Sequence, residues 1–260
     1  MTMPHETFPS EFPVLYHGTS QHSLIPMMEQ GLMPRGGTGK DNWKHTVTSN
    51  PNTVYLSDCF AHYFAFQAMQ NNEGAAALEI DVTKLNRYAF VADEDAVEQA
   101  SRGHHIPHTP RWLAQSNDMK RRTRWFRDNA ELFDPSVSMQ LLGTVGYRGT
   151  IPWSAVRRVA LLTAEQARLL TFLFDPTITT LLYKIRGSSY RRFTRSLFDQ
   201  DLLADVNDEY HVALTSMGVK APVQVVGDLE EEHRPKVYAA EDLLSLYRAL
   251  QSEAANEEKV

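Results

Sequence analysis

The chain reads as an α+β protein. Short apolar strands and amphipathic helices alternate through its earlier part, and strands then follow one another toward residue 162. Two strand-like runs anchor the pattern, Val14-Leu15-Tyr16-His17-Gly18-Thr19 and Val54-Tyr55-Leu56-Ser57, with a helix-like segment between them. Beyond Thr163 the texture turns mainly helical, so one domain is expected over 1–162 and a helical region over 163–260.

The elements follow in order. Residues 1–13 carry three prolines and read as an irregular lead-in to a strand over 13–17. Ser20-Gln21-His22-Ser23 opens a helix with Leu24, Ile25, Met27, Met28 and Leu32 as its apolar positions, and Gly31 is its stop. The loop Pro34–Lys40 ends in Gly-Lys but is no phosphate-binding loop: Asp41 stands where Ser or Thr is needed, and a helix, not a strand, precedes it. The turn Asn50-Pro51-Asn52 leads into a strand over 53–57, and Asp58 is placed to cap a helix running through Phe60, Tyr63, Phe64 and Met69.

Ala75–Val82 alternates as a strand, Tyr88–Val91 is a further apolar piece, and Asp93-Glu94-Asp95 opens a short helix through Ala100, its acids complementing the helix dipole. Residues 103–110 form a loop, and Arg111–Phe133 follows a helical pattern with Lys120, Arg121, Arg122, Arg124 and Arg127 crowded around Trp125 and Phe126. Met139–Tyr147 is expected as a strand and Val156–Leu162 as another, joined through the turn at 149–152. Helices are expected over 164–174, 178–185 and 241–253, an Arg-rich amphipathic segment over 188–198, and a strand over 222–226.

Composition narrows the function classes. Hydrophobic residues make up 42% and charged residues 22%, which is ordinary for a folded soluble chain. The single Cys59 excludes an intramolecular disulfide and a cysteine-rich zinc site. No leader-like apolar segment stands at the N-terminus and no run of about 18 apolar residues exists, so a cytoplasmic protein without a membrane span is expected. His104, His105 and His108 have no cysteine nearby and no acids at ligand spacing; they read as a solvent loop, and no metal is expected.

The net charge of −6 argues against indiscriminate nucleic-acid binding. Its distribution is uneven, however: basic residues outnumber acids over 136–198 and the reverse holds over 199–260. Two readings stand, solvated surface of both signs or a local basic face for an anionic substrate.

The strand end Tyr16-His17-Gly18-Thr19, the later Val54-Tyr55-Leu56-Ser57, the helix after it containing Tyr63, and the run Leu141–Pro152 together resemble the ADP-ribosyltransferase superfamily. The likeness is to its diphtheria-toxin-like, His-Tyr-Glu branch, and it spans about residues 13–162. It implies a split mixed β-sheet with helices, and NAD as co-substrate. By the same resemblance His17 bonds a ribose hydroxyl, Gly18 lets backbone approach the nicotinamide amide with Thr19 beside it, Tyr55 stacks on the nicotinamide ring, and Tyr63 is a candidate for the second face of that ring. Read from the residues alone, His17 could instead cap a strand, and Tyr55 and Tyr63 could be core aromatics.

The resemblance also requires a glutamate at the edge of a late strand. Gln140 stands at the matching position; it can hydrogen-bond a hydroxyl but carries no charge and cannot act as a base. Glu131 is the alternative. Asn42 and Ser49 are polar groups suited to the adenosine side. Arg121, Arg124 and Trp125, with Arg191 and Arg192 in the later Arg-rich segment, are candidate substrate contacts of the type that follows a phosphate backbone and stacks bases.

The function these residues lead us to expect is mono-ADP-ribosyl transfer from NAD to a macromolecule, a nucleic acid (RNA or single-stranded DNA) before a protein. The role implied is that of a bacterial toxin or phage-defence effector, with an antitoxin as a possible partner. The competing expectation is a catalytically silent NAD- or ADP-ribose-binding module, suggested by Gln140. A tRNA 2′-phosphotransferase ranks below both, because the arginines that would hold its phosphate find no match here.

Overall fold

A computed structural model of the chain describes residues 11–34, 36, 49–58, 60–69, 73–101, 108–173, 195, 197–199 and 234–257. Its centre is one seven-stranded sheet. The strands are β1 (Val14–Ser20), β2 (Thr53–Ser57), β3 (Ala75–Asp81), β4 (Phe90–Ala92), β5 (Thr144–Arg148), β6 (Val156–Leu162) and β7 (Lys236–Ala239), in the spatial order β4-β5-β2-β1-β3-β6-β7. Every pairing is antiparallel, so the fold is α+β but the sheet is not of mixed direction.

The pairing is uneven in a way that matters. All seven residues of β1 are in register with β3, and all five of β2 with β5. Between β1 and β2 the only register pair is Tyr16 with Ser57. The sheet is therefore two well-paired halves that touch at one point and diverge from it.

Register also sorts the two faces, since alternate residues of a strand point to opposite sides. Leu15, Leu56, Leu78, Ile80, Val145 and Val159 share one face, which is the apolar core. Helix α1 (Leu24–Gln30) contributes Leu24 and Met28 to it, and Gly31 ends that helix at φ 81°. On the opposite face one row of partners runs Arg158, Glu79, Tyr16, Ser57, Thr144, all polar or amphipathic. Helix α2 (Ala61–Ala68) packs on this second face over Gly18. The expected cap, Asp58, does not start α2; the Ser57 hydroxyl accepts the Phe60 N–H at 2.9 Å instead, and Asp58 is buried.

A helical group closes the β4 end: α3 (Glu94–Ala100), α4 (Arg111–Gln115) and α5 (Met119–Asp128). The expected single helix over 111–133 is broken at Ser116–Asp118, where Asp118 Oδ1 accepts from the Arg121 N–H and caps α5. Leu113, Phe126 and Phe133 form a second small core there, with Trp112 and Trp125 against it.

Arg122 is buried inside that group. Its guanidinium meets Glu98 at 2.9 Å and also donates to the Leu113 carbonyl and the Ser101 hydroxyl. Removing one partner of so buried a pair strands a charge, so Glu98→Ala is expected to cost about 3–5 kcal/mol in urea unfolding. The double change Glu98→Met with Arg122→Leu should recover most of that loss; a double variant as unstable as the single one would show that packing, not charge, was removed.

Residues 135–142 correct another expectation. They form helix α6 (Pro135–Leu142), not part of a strand. Asp134 caps it through the Ser136 N–H at 2.9 Å, Pro135 occupies its first turn, and Gly143 ends it at φ 67°. Those are helix start and stop residues, and after Val137 the next β-branched side chains are Thr144 and Val145, where β5 starts.

Later segments return to the same body. Helix α7 (Ala164–Leu173) packs on α2. Strand β7 extends the sheet beyond β6, and helix α8 (Ala240–Glu257) lays Ala240, Leu243, Leu244 and Tyr247 on the core. Phe198 stacks on Tyr16 with ring centroids 5.4 Å apart, while Arg158 bridges Glu79 and Asp199 at 2.7 Å each. The segments expected at 178–185 and 222–226, and nearly all of 188–198, lie outside the described residues. Among the described residues no helix is long and apolar enough to cross a membrane.

Candidate active site

The point where β1 and β2 diverge is where the candidate residues gather. Past the Tyr16–Ser57 pair, the His17 ring takes the place of a strand bond: Nδ1 lies 3.0 Å from the Tyr55 carbonyl oxygen. A carbonyl only accepts, so Nδ1 carries the proton and Nε2 keeps its lone pair. Burial lowers the His17 pKa and keeps the ring neutral, which preserves that lone pair for an incoming hydroxyl. The imidazole thus bridges the two strands beyond their last register pair and keeps Nε2 as an acceptor.

Gly18 follows on β1. A Cβ there would sit 2.1 Å from the Ala61 carbonyl oxygen and 2.4 Å from the Ala65 nitrogen. Glycine is required because the backbone of α2 lies directly on it, a reason distinct from the ligand approach that the sequence suggested. Thr19 is buried, next along β1.

Tyr55 is held at both ends. Its carbonyl accepts from His17, and its hydroxyl donates to Glu94 Oε1 at 2.5 Å while accepting the Asn50 N–H at 3.0 Å. The Asn50 N–H is shared with the same Glu94 oxygen, at 3.2 Å. The turn that the sequence marked at 50–52 does this folding back: Asn50 Oδ1 accepts from the Asn52 N–H and the Asn50 carbonyl from the Thr53 N–H. Ser49 is therefore carried alongside the Tyr55 hydroxyl by its neighbour.

Glu94 is the residue that sequence reasoning missed. It sits at the start of α3, directly after β4, and β4 pairs with β5, which pairs with β2. Those pairings bring it to Tyr55 from 39 positions away. Burial, then the neighbouring Asp93, pushes its carboxyl up to about 7, and Asp95 is likewise raised to about 7 by burial and by Asp93 and Glu94. Asp93, raised by burial, caps α3 through the Asp95 and Ala96 N–H groups. The burial of two successive acids, Asp93 and Glu94, is unusual, because carboxylates leave water only at a cost. The available signal was their position immediately after the apolar Phe90–Ala92.

The two expected third groups do not reach this place. Gln140 is exposed on α6, not at a strand edge. Glu131 is exposed in a 3-10 turn and paired with Arg148 at 2.8 Å, at the far end of β5. Tyr63 is half-buried on α2 with its ring centroid 5.7 Å from that of Phe64.

Of the expected substrate contacts, Arg121 and Arg124 are exposed on α5. Trp125 packs edge-on against Phe126 and Phe133 and is committed to the small core. Asn42, Arg191 and Arg192 lie outside the described residues, as do His104 and His105. Among the described residues no group of His, Cys, Asp and Glu is arranged to hold a metal ion.

Chemically, the site combines a neutral imidazole acceptor, a pinned aromatic ring, and a buried carboxylate that titrates near neutrality. Such a set suits holding a polar ligand edgewise while stabilising positive charge that develops beside it. No protein-family model matches the chain, and no curated protein matches it in sequence.

Proposed function

We propose that the chain is an NAD-dependent ADP-ribosyltransferase in which His17, Tyr55 and Glu94 form the working set. One observation carries this reading. A histidine and a tyrosine from two diverging strands meet where the sheet opens, and a glutamate is hydrogen-bonded to the tyrosine.

The reaction breaks the bond between C1′ of ribose and the nicotinamide nitrogen; its electron pair leaves with nicotinamide. Positive charge builds on the ribose, and a nucleophile of the acceptor then bonds C1′ and gives up its proton. His17 Nε2 accepts from a ribose hydroxyl. The Tyr55 ring, fixed through its hydroxyl and carbonyl, offers a flat face to nicotinamide. Ionised Glu94 stabilises the developing charge, where a glutamine could not. Thr19, Ser49 and Tyr63 remain the candidate contacts for the rest of the dinucleotide, while Gly18 serves to seat α2 on β1. Because an acid stands beside Tyr55, Gln140 no longer motivates a silent binding module.

The test is nicotinamide release from NAD, with label transfer to RNA, single-stranded DNA and lysate protein followed in parallel. His17→Ala is expected to slow release by about 10- to 100-fold, the equivalent of one buried hydrogen bond. A parent that neither releases nicotinamide nor binds NAD by calorimetry would sink the enzyme. A toxin role belongs to the same proposal, and growth arrest on induced expression, relieved by His17→Ala, is its readout.

A further inference from the structure

Helix α5 is two-sided in an instructive way. Arg122, Thr123 and Phe126 are buried, and Lys120, Arg121 and Arg124 are exposed on the opposite side. Arg111, exposed at the start of α4, lies one residue before Trp112, and the Arg121 guanidinium lies over the Trp112 ring at 4.3 Å. None of the four cations Arg111, Lys120, Arg121 and Arg124 has a carboxylate partner among the described residues; Arg127, at the end of the helix, is paired with Asp128. In a chain of net charge −6, four unpaired cations on adjoining helices make a local positive field that the rest of the surface opposes.

We propose that this face of α4 and α5 is a docking surface for single-stranded nucleic acid, the acceptor that the site modifies. The proposal deepens the ADP-ribosyltransferase reading and rests on it for the word acceptor. Spacing supports it. Lys120 and Arg124 are one turn apart, and Arg121 and Arg124 three residues apart, so their charges project as a strip able to follow a run of phosphates. The stacked Arg121 and Trp112 add a flat, cationic π surface on which a base can lie whatever its identity. A duplex hides its base faces and gains nothing from that platform. The surface is also tied to the chemistry: α5 packs on α3, Arg122 is bonded to Glu98 of α3, and α3 begins with Glu94 at the Tyr55 hydroxyl.

The measurement is fluorescence anisotropy of the full chain with a labelled mixed-sequence 20-nucleotide single strand, as RNA and as DNA, at several salt concentrations. Four phosphate contacts give a slope of log K against log salt of about −2 to −3, and roughly a 50-fold loss between 50 and 200 mM. Arg121→Glu with Arg124→Glu should weaken binding at least tenfold while calorimetric NAD affinity and acceptor-free nicotinamide release match the parent. Arg87→Glu, an exposed charge reversal elsewhere, should leave strand binding unchanged. If the double reversal melts early, Arg121→Gln with Arg124→Gln serves, with a slope shallower by about 1.4.

Binding that is independent of salt, indifferent to these changes, equal for a duplex of the same sequence, or equal for polyglutamate would overturn the surface. Strand binding without any NAD turnover would leave the surface standing and overturn the enzyme reading. NAD turnover without strand binding would do the reverse.

Discussion

Glu94→Gln is expected to reduce nicotinamide release by about 10²–10³-fold while NAD affinity changes little, the range seen when one preorganised charge-stabilising group is lost. Glutamine can keep both contacts of the carboxylate, since its Oε1 can accept from the Tyr55 hydroxyl and from the Asn50 N–H. What disappears is the charge. The parent rate should rise with pH through about 7, where the Glu94 carboxyl ionises. A variant within threefold of the parent would remove Glu94 from the chemistry.

The same residue sets a stability trend of opposite sign. Its carboxyl is raised from 4.5 to about 7 and that of Asp95 from 3.8 to about 7, so the folded chain holds protons that the unfolded chain releases. The stabilisation this represents is complete below about 4 and is lost as pH rises through about 7. Melting temperature should therefore fall between pH 5 and pH 8. By linkage, Glu94 alone accounts for on the order of 3 kcal/mol of that fall. Glu94→Gln removes its share and also relieves Asp93 and Asp95 of a like charge, so the variant should melt above the parent at pH 8. A parent with no slope across this range would contradict the burial of the acids.

Gly18→Ala has the second large effect, and it acts through packing. The added methyl would lie 2.1 Å and 2.4 Å from two backbone atoms of α2, which cannot rotate away as a side chain could. The helix must lift from β1, at an expected cost of about 3 kcal/mol and about 6–12 °C in melting temperature. Gly149→Ala is the matched control. Its φ is 99° with no atom within 4 Å of the added carbon, so only backbone strain of about 1–2 kcal/mol applies. Equal melting of the two variants would mean that α2 does not rest on Gly18.

These residues also show how much could be read in advance. Tyr16-His17-Gly18-Thr19 and Val54–Ser57 were legible because each is a local strand pattern with polar residues at its end, and both lie on strands, β1 and β2, that carry the candidate site. The basic side of α5 was legible as charge. Arg122 was not separated from its neighbours, although it lies four residues before Phe126 on the buried side of that helix. The Asp134-Pro135 start and the Gly143 stop of α6 were overridden by the apolar run between them, and Gln140 was placed on a strand as a result.

The amino-acid sequence by itself determined most of the local elements and the places where Asn50 and Gly31 turn or end them, since those choices depend on neighbours within a few residues. It also determined the paired histidine and tyrosine as candidates. Only the tertiary structure decided which acid joins them. Glu94 reaches Tyr55 through two successive strand pairings, β4 with β5 and β5 with β2, and register between strands distant in the chain is set by burial of a whole face. The opening between β1 and β2 was decided in the same way, by His17 occupying the carbonyl that a paired strand would have used.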